Sequence, residues 1–159
     1  MSRFMPRILL GSLAIALTTS VAAQFTPRDL IPPEELIQYR QAGYRFMQWN
    51  MGKIKINLDR DFNQKQVIGA ANAIAAIANS GMGALYAYGT EEDVGDVKTR
   101  VKPAFFENTD DATALARDFI AKADRLAAAA QDSDQAAVRS AFGELAEACK
   151  ACHKKYRED

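Results

Sequence analysis

Histidine occurs once in the 159-residue chain and cysteine twice, and this scarcity excludes more chemistry than any abundance does. A structural zinc site wants four Cys or His ligands, and the chain has three, all close together at the C-terminal end. Lys plus Arg and Asp plus Glu balance at 20 each, so no basic excess points to nucleic acid or to a polybasic membrane contact. Long apolar runs are also missing: the longest, Ile8 to Thr18, is too short to span a bilayer. Neither alternating strand patterns nor internal repeats occur, and no Ser/His/Asp or paired-carboxylate arrangement stands out.

The three scarce residues lie together in Cys149-Lys150-Ala151-Cys152-His153. Cys-x-x-Cys-His is the attachment sequence of a c-type haem, in which two thiols bond the vinyl groups and the adjacent imidazole ligates the iron. A thioredoxin-like dithiol would follow a strand, and none precedes this segment. A plain disulfide would leave His153 unexplained. One covalently attached haem c, with His153 as axial ligand, is therefore expected.

The N-terminus suits export. Arg3 and Arg7 precede the short apolar stretch, and Val21-Ala22-Ala23 offers a small-residue cleavage site. The expectation is a secretory signal peptide over residues 1–23, cleaved after Ala23, and a periplasmic domain over residues 24–159. That mature chain has 136 residues, enough for one core, with 18 basic and 20 acidic side chains and a net charge of −2.

Four helical patterns follow. Pro32-Pro33, with Glu34 and Glu35, opens the first, which is expected to run to about Ile56 with an inward stripe of Ile37, Arg40, Tyr44, Met47, Met51 and Ile54. A second apolar line, Leu36, Tyr39, Gly43 and Phe46, could face another subunit. The second helix, about Asn63 to Gly81, is alanine-rich. A long connection from about Leu85 to Thr109 carries Tyr86, Tyr88, Phe105 and Phe106, and is expected to pack these rings on a surface. Thr109 reads as the N-cap of the third helix, and Asp132 or Ser133 as that of the fourth. Cys149 and Cys152, at i and i+3, share the fourth helix's apolar face with Leu145 and Tyr156. The fold class is all-α: an antiparallel four-helix bundle with one long crossover loop and the haem inside the bundle near the C-terminus.

The pattern resembles the cytochromes c′, class II c-type cytochromes. Three stretches carry the likeness: Cys149-Lys150-Ala151-Cys152-His153-Lys154-Lys155-Tyr156-Arg157, Tyr39-Arg40-Gln41-Ala42-Gly43-Tyr44, and more loosely Gly89-Thr90-Glu91 with Pro103-Ala104-Phe105-Phe106. The resemblance implies a homodimer and a five-coordinate iron with a hydrophobic or aromatic side chain over its open side. It makes His153 the proximal ligand, Arg157 the proximal arginine, Arg40 the partner of a haem propionate and Tyr44 the distal residue. Phe106, where many relatives have Trp, is expected against the haem.

The residues themselves leave some alternatives open. Arg40, on an inward stripe, needs an anion: a propionate bound bidentately, or a surface carboxylate reached from the rim. Tyr44 competes with Met47 and Phe46 for the distal position. Met47 or Met51 as a thioether ligand would make a six-coordinate, low-spin electron carrier, although methionines at helical spacing usually fill cores. Trp49 reads as core or dimer interface. The leading expectation is a haem protein that binds NO and CO and exchanges electrons with redox partner proteins, without nucleic-acid or membrane binding. Enzyme activity such as peroxidase is not expected, because no second histidine exists to move protons.

Overall fold

The computed structural model describes residues 30–132 and 134–158. The expected leader and its cleavage site lie outside the described residues. Four long helices, α1 (Pro33–Asp59), α2 (Gln64–Ala78), α4 (Thr109–Gln131) and α5 (Gln135–Tyr156), form the bundle, with a one-turn α3 (Ala104–Glu107) in the crossover.

Proline at its first position and Glu34 and Glu35 in its first turn start α1. It ends three residues later than expected because Asn57 and Leu58 are buried, so the inward face continues past Ile56. Asn57 also closes the turn into α2: its Oδ1 accepts the Asn63 amide at 3.0 Å, and its Nδ2 donates to Gln66 Oε1 at 3.2 Å. Asn63 caps α2 by accepting from the Gln66 amide. That helix stops at Ala78, short of the expected Gly81, and Gly81 instead turns the chain with a φ of +85°.

Both expected caps further along are corrected. Thr109 is already helical and Asn108 precedes α4; the Asn108 side chain bonds back to the Ala104 carbonyl instead of capping. Asp134 caps α5, its Oδ1 accepting from the Ala136 and Ala137 amides, whereas Asp132 terminates α4. Ser133 lies outside the described residues.

The core is built from α1, α2, α4 and α5. Ile54, Val67, Ile74, Leu126 and Leu145 are almost fully buried, each contributing roughly 1.5–3 kcal/mol of apolar burial. Between them lie alanines with no exposure, Ala70 and Ala71 of α2 and Ala123 and Ala130 of α4. These small residues let α2 and α4 approach closely. Hydrogen bonds place the chain ends: Gln64 reaches the Gln131 carbonyl, and Gln135 and Arg139 reach the Leu58 carbonyl. The end of α1, the start of α2, the end of α4 and the start of α5 therefore share one end of an antiparallel bundle.

Residues 79–108 cover the other end. After a 3-10 turn at Met82–Leu85, the crossover bridges Val94 to Val97 around Gly95 and then pairs with the end of α5. There Val101 bridges Arg157, the Lys102 amide donates to the Tyr156 carbonyl at 2.9 Å, and the Glu158 amide to the Arg100 carbonyl at 2.8 Å. Packing of the four rings is only partial: Tyr88 is 74 % exposed. The second apolar line on α1 also divides, with Leu36 buried and Gly43 beside Met82, while Tyr39 and Phe46 stay exposed. Among the described residues no helix is long and apolar enough to cross a membrane.

Candidate haem-attachment site

Around the bundle α1 packs on α2, α2 on α4 and α4 on α5, but the α5–α1 seam is sparsely packed. Cys149 and Cys152 project from the last turns of α5 as free, half-buried thiols. Burial raises both thiol pKa values, so the pair is protonated at neutral pH. His153 is half-buried beside them. Burial first, then the charges of Arg157 and Arg100, hold its imidazole below the usual pKa. A neutral imidazole has a free nitrogen lone pair to offer a metal.

Tyr44 and Tyr86 occupy the α1 side of the seam. The Tyr86 hydroxyl donates to the Tyr44 hydroxyl at 3.3 Å. Burial is the largest cause raising both phenol pKa values, and each also responds to Cys152. Both phenols therefore lie within electrostatic range of Cys152. Tyr86 is packed by Phe105, stacked at 4.4 Å between centroids, and by the Arg40 guanidinium, 4.6 Å from its ring centroid.

Arg40 is only 3 % exposed, which removes the rim reading: it does not reach out to a surface carboxylate. Its Nη1 donates to Thr90 Oγ1 at 3.2 Å and the Leu85 carbonyl at 3.4 Å; its Nη2 donates to Thr99 Oγ1 at 2.8 Å and the Thr90 carbonyl at 3.2 Å. All four acceptors are neutral, and burial lowers the guanidinium pKa. A buried cation with neutral partners still lacks a counter-charge.

Met47 is 5 % exposed within the apolar cluster that includes Ile54, Ile74 and Leu145, and Met51 packs against that cluster. Phe46 is 50 % exposed on the outer side of α1 and Trp49 57 %, which takes Trp49 out of the core. Phe106 meets Phe105 edge-on at 5.4 Å and the exposed Tyr88 at 6.1 Å. Phe105 holds the more central place, in contact with both Tyr86 and Tyr156. Arg157 ends α5, its amide donating to the His153 carbonyl at 3.0 Å. Tyr156, one residue earlier, donates to Asp111 Oδ2 at 2.5 Å, where Lys155 also binds at 2.9 Å.

Sequence reasoning did not single out Thr90, Thr99, Asp111 or the role of Tyr86. Loop threonines carry no periodic signal, and Tyr86 stood only as one of several crossover aromatics. The surface concavities along Trp49 and Lys53 and at the α1–α2 turn lie away from this seam.

The donor set fits a haem c. Two thiols one helical turn apart can form thioethers, the neutral imidazole follows directly, and Arg40 supplies the charge a propionate would meet. Among the described residues no three His, Cys, Asp or Glu side chains gather as a metal-binding cluster.

Comparison with known proteins agrees over nearly the whole chain. The family model described as Cytochrome C′ matches residues 35–157. The chain is 54 % identical over 147 residues to the cytochrome c′ of Allochromatium vinosum, covering 92 % of each chain. It superposes on the crystal structure of cytochrome c′ from Thermochromatium tepidum with a TM-score of 0.80 and 59 % identity, over 81 % of this chain and 98 % of that one. A second structure, at 58 % identity, the same coverage and a TM-score of 0.80, is described as a cytochrome c′ with an unusual ligand-controlled dimer dissociation. The chain belongs to the cytochrome c′ family, whose members carry a covalently attached haem c.

Proposed function

We propose that the chain is an exported, periplasmic monohaem cytochrome c′, processed after Ala23, that binds NO and CO and takes part in electron transfer. Its haem c is attached through Cys149 and Cys152 and ligated by His153. His153 would ligate the iron and these residues supply no second ligand beside it, so the group when bound would supply an open site for small uncharged ligands and one-electron redox chemistry. Tyr44 stands on the open side, Arg40 meets a propionate, and Arg157 flanks the proximal imidazole. Phe106 supports the packing through Phe105.

The observation that carries this reading is the hydrogen-bonded Tyr44–Tyr86 phenol pair beside the sparsely packed α1–α5 seam that bears Cys149, Cys152 and His153. A phenol that burial keeps protonated is a poor iron ligand. Met47, the alternative sixth ligand, is packed within the core cluster and would have to leave it. The chain is proposed not to be an enzyme, since its one histidine is committed to the iron.

Two copies pair through the outer stripe of α1, where Tyr39, Phe46, Trp49 and Ile56 are exposed. The 58 % identical relative, described as having a ligand-controlled dimer dissociation, supports a dimer, and the exposed stripe is the face offered for it.

Optical and EPR spectra of the purified ferric and ferrous protein, with and without NO, test the reading. A high-spin ferric signal and a ferrous NO complex are expected, with peroxide turnover no greater than that of free haem. A methionine–iron charge-transfer band would refute the open site. Replacing both Cys149 and Cys152 with Ala should abolish haem staining on a denaturing gel. Persistence of the stain would refute the attachment.

A further inference from the structure

We infer that Tyr86, in the crossover, is a positioning residue for the distal phenol: its hydroxyl holds Tyr44 closed over the ligand position, so ligand entry must break the Tyr44–Tyr86 hydrogen bond. This rests on the reading above that Tyr44 stands over the open axial side. Three contacts make Tyr86 a fixed anchor. Its ring stacks on Phe105 at 4.4 Å with an interplanar angle of 26°. The Arg40 guanidinium lies 4.6 Å from the same ring centroid, and is itself bound to Thr90 and Thr99 of the crossover. Tyr86 also leaves the 3-10 turn directly, its amide bonded to the Gly83 carbonyl at 3.2 Å.

Tyr44, by contrast, rides on α1, and among the described residues its one side-chain hydrogen bond is the one from Tyr86. Side-chain rotation can move its ring without disturbing the helix. The link between the mobile ring and the anchored one is a single hydrogen bond of 3.3 Å. Tyr86 donates in that bond, and Tyr44 keeps its own hydroxyl proton. A neutral hydrogen bond of this kind slows opening by roughly twofold to tenfold.

The test is a double-mutant cycle on the ferrous haem-loaded protein, using Tyr86→Phe, Tyr44→Phe and the pair together. Phenylalanine keeps each ring and the stack on Phe105, and removes only the hydroxyl. CO association, followed by flash photolysis, should speed up about twofold to tenfold in each single variant. The double variant should be no faster than the singles, because all three lose the same bond. Ultraviolet resonance Raman of the ligand-free protein supplies a second readout: Tyr86→Phe should alter the hydrogen-bond-sensitive tyrosine doublet of Tyr44. Unchanged CO association in Tyr86→Phe, or effects that simply multiply in the double variant, would overturn the inference. Failure of the wild-type protein to bind CO at all would instead strike the functional reading on which it rests.

Discussion

A guanidinium that is 3 % exposed, with only neutral oxygens accepting its hydrogen bonds, is costly to bury. Arg40 meets that cost with its four hydrogen bonds to Leu85, Thr90 and Thr99, and with the Tyr86 ring beneath it. The same contacts fasten the crossover to α1, so the residue works as a loop anchor as well as a charge. Arg40→Met keeps the volume but orphans the Thr90 and Leu85 carbonyls. Stability should fall by about 1–3 kcal/mol, seen as a lower urea midpoint with an unchanged slope. A variant as stable as the parent would mean that the crossover is held elsewhere. The sequence made Arg40 visible, because a lone cation on an apolar stripe demands a partner. It did not reveal the partners, because Thr90 and Thr99 lie in an irregular segment where spacing carries no information.

Between elements, two contacts set the bundle. Small buried residues on both helices let α2 and α4 pack closely, with Ala71 and Ala123 both fully buried in the same cluster. Ala123→Leu has no room there, and overpacking should cost about 1–3 kcal/mol, measured by thermal or urea unfolding. The second contact ties α4 to the haem-bearing end of α5, where Tyr156 and Lys155 bind Asp111. The Asp111 bond raises the Tyr156 pKa to about 12, from an ordinary value of 10.0. A raised folded pKa favours the neutral phenol in the native state. From neutral pH up to 10 this stabilisation is complete, and it is lost as the pH rises towards 12. Tyr156→Phe should therefore be less stable than the parent at neutral pH, and the gap should close between pH 10 and about 12 in unfolding measured across that range. A gap that persists at the alkaline end would assign the latch to packing alone. The helices themselves were legible from apolar spacing, proline and acidic starts, because those signals are local. Helix ends shifted by two or three residues where tertiary contacts overrode them, as burial of Leu58 did for α1. The crossover's route was not legible, since its backbone pairing with Arg157 and Glu158 depends on residues more than fifty positions away.

For the whole molecule the two sides of α1 divide the labour. Arg40 and Met47 turn inward, while Tyr39, Phe46, Trp49 and Ile56 fall within one stripe of the helix surface and are each half or more exposed. Phe46 stacks on Trp49 at 5.5 Å, and the Lys53 ammonium sits 4.3 Å from the Trp49 ring centroid. The stripe is thus an apolar ridge with the Phe46–Trp49 stack at its middle. A ridge on one straight helix matches itself under a two-fold axis, so a second copy of α1 can lie across it and each Trp49 meets the other helix. Aromatic residues near the centre of such a patch carry much of its energy. Trp49→Glu places a charge there without touching the core or the seam. Sedimentation velocity should show the parent at twice the chain's mass and the Trp49→Glu variant as a monomer, with the ferric haem spectrum unchanged. A variant that remained dimeric would move the interface off α1. A monomeric variant with an altered spectrum would show that this ridge also supports the haem pocket, so the two sides of α1 would no longer count as independent.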